Sequence, residues 1–234
     1  MSKILIGALQ PGARPINQGI TGAVRGVAMF DGIPRGVIAK HGTLAEIAAE
    51  CFCALFAKDL HLDAPECGLV LNGSEWWFAS IDVGAPNLTQ IFTPPKAAIA
   101  SAAWLALAQE LVAWPKIGRL LAFDVLIRNA DRNTGNLLSD GEDWWLIDHA
   151  RSMELWTYSN HKLYQLIKST CDTATADDVL ARTEAQSITF AVGSHVFAAT
   201  ELQNDLRLSP FSGRFSDQIV ARQPGLAASI RGLL

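Results

Sequence analysis

The hydrophobic pattern of this chain changes period once, near Pro86. Upstream, short β-compatible runs at Ile4–Ala8, Ala23–Phe30 and Gly36–Lys40 are punctuated by glycine and proline. Asp31-Gly32 sits between two of these runs, and Asp-Gly readily supplies the positive φ of a tight hairpin. Asn72-Gly73 has the same place between Cys67–Leu71 and Glu75–Asp82. Between the two hairpins, Thr43 with Glu46 three residues on reads as a capping box. Ile47, Cys51, Ala54 and Leu55 then extend a helix from Leu44 to about Leu60, with Lys58 closing its polar side.

Downstream of Pro86 the period is helical. Pro94-Pro95 marks a break, Lys96–Trp114 reads as a long helix, and Pro115 ends it. Lys116–Arg128 continues with an apolar stripe of Ile117, Leu120, Leu121, Val125 and Leu126. A polar loop, Asn129–Gly135, leads into a short hairpin of Asn136–Leu138 and Trp144–Asp148, turned at Asp140-Gly141. From Met153 the remainder reads helical, with loops near Ser169–Thr175 and Leu208–Ser212. This order predicts an α+β chain in two unequal lobes that meet near Asp82–Pro86. Residues 1–82 form a small antiparallel sheet with one helix, and residues 83–234 a larger, mostly helical lobe.

Composition narrows the function classes. A chain of 234 residues that is 50% hydrophobic and 18% charged can bury a sizeable core, which excludes disorder. The net charge of −4, with no Lys/Arg run, gives no footprint for nucleic acid or an anionic membrane. The apolar stretches Ala97–Ala108 and Ile188–Thr200 are too short to span a bilayer, and Gln10-Pro11-Gly12 cuts off the first apolar run before it resembles a secretory signal. A cytoplasmic protein is the default reading. The four cysteines lack partners at metal-ligand spacing and read as free, buried thiols. Seven Trp against two Tyr is an unusual aromatic bias; Trp76-Trp77 and Trp144-Trp145 are adjacent pairs.

The polar loop carries the chemistry. Asp131 and Asn136 stand five apart at its two ends, and Asp148 closes an apolar strand twelve residues later. Phosphoryl-transfer loops are laid out this way: one carboxylate orients the attacking hydroxyl, an amide oxygen reaches a metal, and a second carboxylate binds Mg²⁺ between phosphates. A hairpin brings Asn136 and Asp148 to neighbouring strand ends, so two hard oxygen ligands converge. The plain alternative for each residue is a turn cap or a loop-satisfying amide.

Asp131-Arg132-Asn133-Thr134-Gly135-Asn136, with Leu146-Ile147-Asp148-His149-Ala150, resembles the D-R-x-x-x-N and I-D-H/F-G signatures of HipA-like and phosphoinositide-type kinases. The chain is most similar to the short bacterial HipA-like kinase domain, which implies a two-lobed protein-kinase-like fold. By that resemblance Lys40, ending Gly36–Lys40, holds phosphates, and a helical glutamate orients it. Glu50 matches the family's rhythm through Leu60-His61-Leu62-Asp63-Ala64-Pro65, with Glu46 one turn earlier as its competitor. The stretch Gln18–Gly26 takes the place of the glycine-rich loop, with Gly19 and Gly22 facing phosphates and Thr21 a candidate phosphosite. Trp77–Gly84 takes the place of the hinge, where Ile81 and Asp82 meet adenine and ribose. Asn129, Asn133 and His149-Ala150 depart from the signatures, and none of them removes a metal ligand or the candidate base.

The expected function is an ATP- and Mg²⁺-dependent kinase acting on a hydroxyl, of Ser/Thr in a protein or in the chain itself, or of a small molecule. In that reading Lys40, Glu50 and Asp131 are catalytic, and Asn136 and Asp148 hold metal. A regulatory partner protein belongs to the same expectation. Two rivals remain open: a nucleotide- or partner-binding module of this fold without chemistry, and a metal-dependent hydrolase using Asp131, Asp148 and His149. ATP binding is expected to change tryptophan fluorescence.

Overall fold

The computed structural model describes residues 3–16, 22–93, 101–129, 131–153 and 161–233. Its first part is built from strands β1 (Leu5–Leu9), β2 (Arg14–Pro15), β3 (Val24–Phe30) and β4 (Ile33–Lys40), helix α1 (Leu44–Asp59), and strands β5 (Cys67–Asn72) and β6 (Glu75–Ile81). The strand order is β1-β5-β6-β4-β3-β2, and β1 also pairs with β3, so five strands close into a barrel with β2 outside the ring. The β1–β5 pair is parallel, Leu5 opposite Gly68. The expected all-antiparallel sheet is corrected on both counts. The connection from β1 to β5 holds a hairpin and a helix, long enough for a parallel return. Closure also depends on two glycines at the seams. A Cβ on Gly7 would lie 2.3 Å from the Met29 carbonyl oxygen, and one on Gly68 would lie 2.5 Å from that of Leu5. The narrow interior is filled mainly by small side chains, Ala28, Val37, Ala39, Val70 and Ala79, around Phe30.

Both hairpins form. Asp31 and Gly32 have φ of 48° and 80°, as a type I′ turn requires. The second turn falls one residue later than the expected Asn72-Gly73: Asn72 pairs with Glu75, leaving Gly73 and Ser74 as the loop. Only Gly73 has positive φ there, the pattern of a II′ turn.

Helix α1 begins at the expected Thr43–Glu46 capping box. Its body differs from an ordinary amphipathic helix, because Ile47 through Ala57 are buried without interruption. One side faces β5 and β6, and the other packs on the helices that follow. Phe52 meets Phe215 at 5.5 Å between ring centres, and Phe56 meets Phe123 at 5.6 Å. The main core is therefore continuous from α1 into the helical part.

That part comprises α2 (Leu88–Phe92), α3 (Ala102–Ala113), α4 (Ile117–Ile127), the hairpin β7 (Leu137–Ser139) and β8 (Trp144–Leu146), then α5 (Lys162–Thr170), α6 (Thr173–Ile188), α7 (Val196–Gln203), α8 (Ser209–Arg222) and α9 (Leu226–Leu233). Helix α2 is a short turn that periodicity does not reveal; an Asn87–Gln90 capping box starts it. Helix α3 starts at Ala102, after the N-cap Ser101, rather than at Lys96. Pro94-Pro95 and Lys96 lie outside the described residues. The loop expected at Leu208–Ser212 is instead the first turn of α8, where Pro210 is tolerated because its missing N–H has no helical partner to lose. The loop itself lies just upstream, between Gln203 and Ser209, and a further break falls between Ile188 and Val196, inside an apolar run whose Gly193 has φ of 89°. All four cysteines are free, and Cys51, Cys53 and Cys67 are buried. Among the described residues no helix is long and apolar enough to cross a membrane.

Candidate active site

Lys40 ends β4, where it pairs with Phe78 of β6, and its side chain reaches two carboxylates. Nζ lies 3.2 Å from Glu50 Oε1 and 3.2 Å from Asp148 Oδ1. The second Glu50 oxygen accepts a 2.7 Å hydrogen bond from the His149 backbone N–H. Glu50 thus joins the end of a barrel strand to the residue after Asp148, across 99 positions of sequence. The two candidate partners of Lys40 are now distinguished. Glu46 accepts from the Thr43 N–H at 2.8 Å and the Thr43 hydroxyl at 2.9 Å, closing the helix cap.

Burial sets the electrostatics of this cluster. Burial works to depress the Lys40 pKa, but Glu50 and Asp148 outweigh it and the net shift is upward. Burial pushes the Glu50 carboxyl up, and Asp148 adds to the rise while Lys40 and the His149 N–H oppose it. Both Glu50 oxygens accept from donors, the arrangement of a carboxylate. Asp148 has φ of 63°, a left-handed conformation that Asp tolerates better than most residues.

Asn136 and Asp131 belong to one tightly bonded loop. The Asn136 side-chain amide donates to the Asp131 carbonyl at 3.0 Å, and Asn133 donates to the same oxygen at 2.8 Å. The Ile147 N–H donates to the Asn136 carbonyl at 3.2 Å, which sets Asn136 beside the strand end that carries Asp148. The Asp131 carboxylate accepts from Arg151 Nη1 at 3.2 Å through one oxygen and from Lys162 Nζ through the other.

Beneath the loop lies a network that the sequence reading missed. The Arg132 side chain is 0% exposed. It donates to Asp124 at 3.0 Å, to the carbonyls of Asn136 at 3.1 Å and Ile147 at 2.6 Å, and to His149 Nδ1 at 3.1 Å. Asp124 also contacts His161 Nε2 at 3.0 Å. Burial alone would raise the Asp124 pKa, yet Arg132 and His161 hold it below the usual value. Burial and the adjacent Arg132 charge push the His149 pKa well down, so its ring is neutral and Nδ1 is an acceptor. This places His149 in a structural role and leaves a hydrolytic role for it without support. The available sequence signal was Asp124, a carboxylate inside the apolar stripe of α4.

Other expected residues stand apart from Lys40. The Ile81 N–H donates to Glu66 at 2.8 Å and the Asp82 N–H to Gly36 at 3.0 Å. The Asp82 carboxylate pairs with Arg25 of β3 at 2.7 Å and accepts from the Gly84 N–H. Gly22 has φ of 61°, and Gly19 and Thr21 lie outside the described residues. An apolar groove of ≈ 570 Å³ opens beside the connector after Asp82, lined by Val83, Pro86, Leu88, Phe92 and Trp144 among others. Trp144 stacks on Trp114 at 4.7 Å, and the Arg207 guanidinium covers Trp76 at 3.8 Å.

Besides Glu50, whose oxygens meet Lys40 and the His149 N–H, the donor set at this strand end is one carboxylate and one side-chain amide, Asp148 and Asn136. No group of three His, Cys, Asp or Glu side chains able to hold a metal is found among the described residues. Few protein ligands, all hard oxygens, suit Mg²⁺, which keeps waters and uses substrate phosphates to complete its shell.

The fold is similar to those of two solved structures, one of them a kinase. One is the Helicobacter pylori proinflammatory kinase CtkA, at a TM-score of 0.60 and 11% identity over 98% of both chains. The other is HipA of Shewanella oneidensis MR-1, from a toxin–antitoxin complex with HipB and operator DNA, at 0.60 and 11% over 96% of this chain and 68% of that one. No protein-family model and no curated protein matches the sequence. At this identity the likeness is one of fold, a kinase-like α+β architecture.

Proposed function

We propose that this chain is a kinase that transfers the γ-phosphate of ATP to a hydroxyl of Ser/Thr, in a partner protein or in the chain itself. The observation that carries the proposal is Lys40 held between Glu50 and Asp148, with Asn136 beside the same strand end. In this reading residues 1–82 and 83–234 are two lobes around one nucleotide cleft. Lys40 binds the α/β-phosphates, and Glu50 fixes its direction. Asn136 and Asp148 hold Mg²⁺, which when bound neutralises phosphate charge. Asp131 orients the acceptor hydroxyl, and Gly19 and Gly22 belong to the segment whose backbone N–H groups meet the phosphates. The Ile81 and Asp82 N–H groups are already bonded within the barrel, so adenine meets this connector through other backbone groups. Asp82 reaches ribose only by leaving Arg25. Most of the rate comes from positioning and charge neutralisation. The HipB complex of the HipA neighbour supports a regulatory partner protein as part of this reading.

The test is incubation with γ-labelled ATP and Mg²⁺, with Asp131→Ala as control. Labelling or hydrolysis that disappears in the variant supports the kinase. ATP binding with neither overturns it in favour of a nucleotide-binding module. One observation favours that module: both Asp131 carboxylate oxygens are ion-paired.

A further inference from the structure

That double pairing has its own chemistry. One carboxylate lies between two cations, in a chain whose net charge is −4. The two cations face solvent, Arg151 at 38% and Lys162 at 53% exposure, while Asp131 is 25% exposed. They come from different elements. Arg151 follows three residues after Asp148, and Lys162 opens α5 next to His161, which the buried Asp124 anchors at 3.0 Å. Transfer requires the acceptor oxygen to bond to the γ-phosphorus as the bond to the bridging oxygen breaks. ADP leaves with that electron pair, and the hydroxyl proton passes to Asp131. In the structure the hydroxyl must compete with an ammonium and a guanidinium for the oxygens of that base.

We propose that Arg151 and Lys162 form the acceptor-recognition site, and that the acceptor is a Ser/Thr in an acidic peptide segment. The inference rests on the kinase reading for its acceptor hydroxyl, but the anion site stands on its own geometry. A carboxylate near the hydroxyl takes over the two cations and exposes an Asp131 oxygen to the incoming proton. Base and substrate are thus matched by exchange of ion pairs, and a neutral segment leaves the base occupied. Half-exposed cations suit an extended chain better than an enclosed small molecule. Exposed ion pairs are weak enough to exchange with an incoming carboxylate.

Fluorescence anisotropy on the full chain tests this without turnover, using labelled Ser peptides that differ only in Asp against Asn beside the serine. The acidic peptide is expected to bind about tenfold more tightly, as two exposed ion pairs allow. Arg151→Ala with Lys162→Ala should erase the preference, and Lys162→Glu should reverse it toward a Lys-bearing peptide. Asp131→Asn should tighten acidic-peptide binding roughly two- to tenfold, because the internal competitor is gone. Lys162→Gln alone, at an exposed position, reads the same loss if the double variant fails to fold. Equal affinities for the two peptides, a preference that survives Lys162→Gln undiminished, or weaker binding in Asp131→Asn overturns the proposal. Phosphate transfer is read separately. A charge preference with no transfer to any peptide removes the kinase reading and leaves the acidic-segment site standing. Transfer at equal kcat/KM with equal affinities removes the acceptor site and leaves the kinase.

Discussion

Two ion clusters of opposite composition sit in this molecule. Around Lys40, one cation lies between two carboxylates; around Asp131, one carboxylate lies between two cations. The first is closed in at its Lys40–Glu50 pair, with Glu50 at 3% and Lys40 at 15% side-chain exposure and a backbone N–H completing it, while Asp148 is 30% exposed. The second is open on its cationic side. Burial makes the difference a functional one. Removing one partner from a buried pair leaves an uncompensated charge, at about 3–5 kcal/mol, whereas exposed pairs are worth about 0.2–1 kcal/mol. The Lys40 cluster is part of the fold, and the Asp131 cluster is free to be rearranged by what binds there.

The strongest way to break this contrast is Glu50→Ala. It should destabilise the chain by about 3–5 kcal/mol in urea unfolding, since it strands Lys40 and the His149 N–H. A loss below about 1 kcal/mol would make the two clusters equivalent. The network beneath them is read by acid. Asp124 has its folded-state pKa lowered, so its contribution is complete above the ordinary 3.8 and disappears as pH falls from there through the folded value. Asp124→Asn should flatten that acid limb of a stability–pH profile while lowering stability at neutral pH, because Arg132 keeps its charge in a buried place. Asp131→Asn should change stability by less than about 1 kcal/mol, and by less still in high salt, while abolishing label transfer. The smallest effect is optical. ATP should change tryptophan emission by a modest fraction, since Trp76 and Trp144 are already covered by Arg207 and Trp114; a change that Trp77→Phe removes would assign it to β6.

How far the sequence announced this molecule depends on whether a feature is local. The Thr43 cap and the Asp31-Gly32 turn are decided by a few neighbouring residues, and both stand where their chemistry put them. The Lys40–Glu50–Asp148 set was legible because motif order names its members, but the choice between Glu50 and Glu46 needed the helix cap to be seen using Glu46. Barrel closure was not legible. It depends on β1 meeting strands far along the chain, and its only trace is glycine at Gly7 and Gly68. Nor was the Arg132 network, whose partners come from α4, the hairpin and the start of α5. Asp124 hinted at it, since a carboxylate in an apolar stripe has to find a donor.

Helix α1 carries a consequence for control. To swing Glu50 away from Lys40, a helix with no wet face between Ile47 and Ala57 would have to withdraw Phe52, Leu55 and Phe56 from their packing. At roughly 1.5–3 kcal/mol for each large apolar side chain, that motion costs about 5–9 kcal/mol, comparable to the whole stability of an ordinary domain. The lever that sets Lys40 is therefore latched as soon as the chain folds. In the proposed kinase, timing is left to the arrival of substrates at the solvent-facing end of the site.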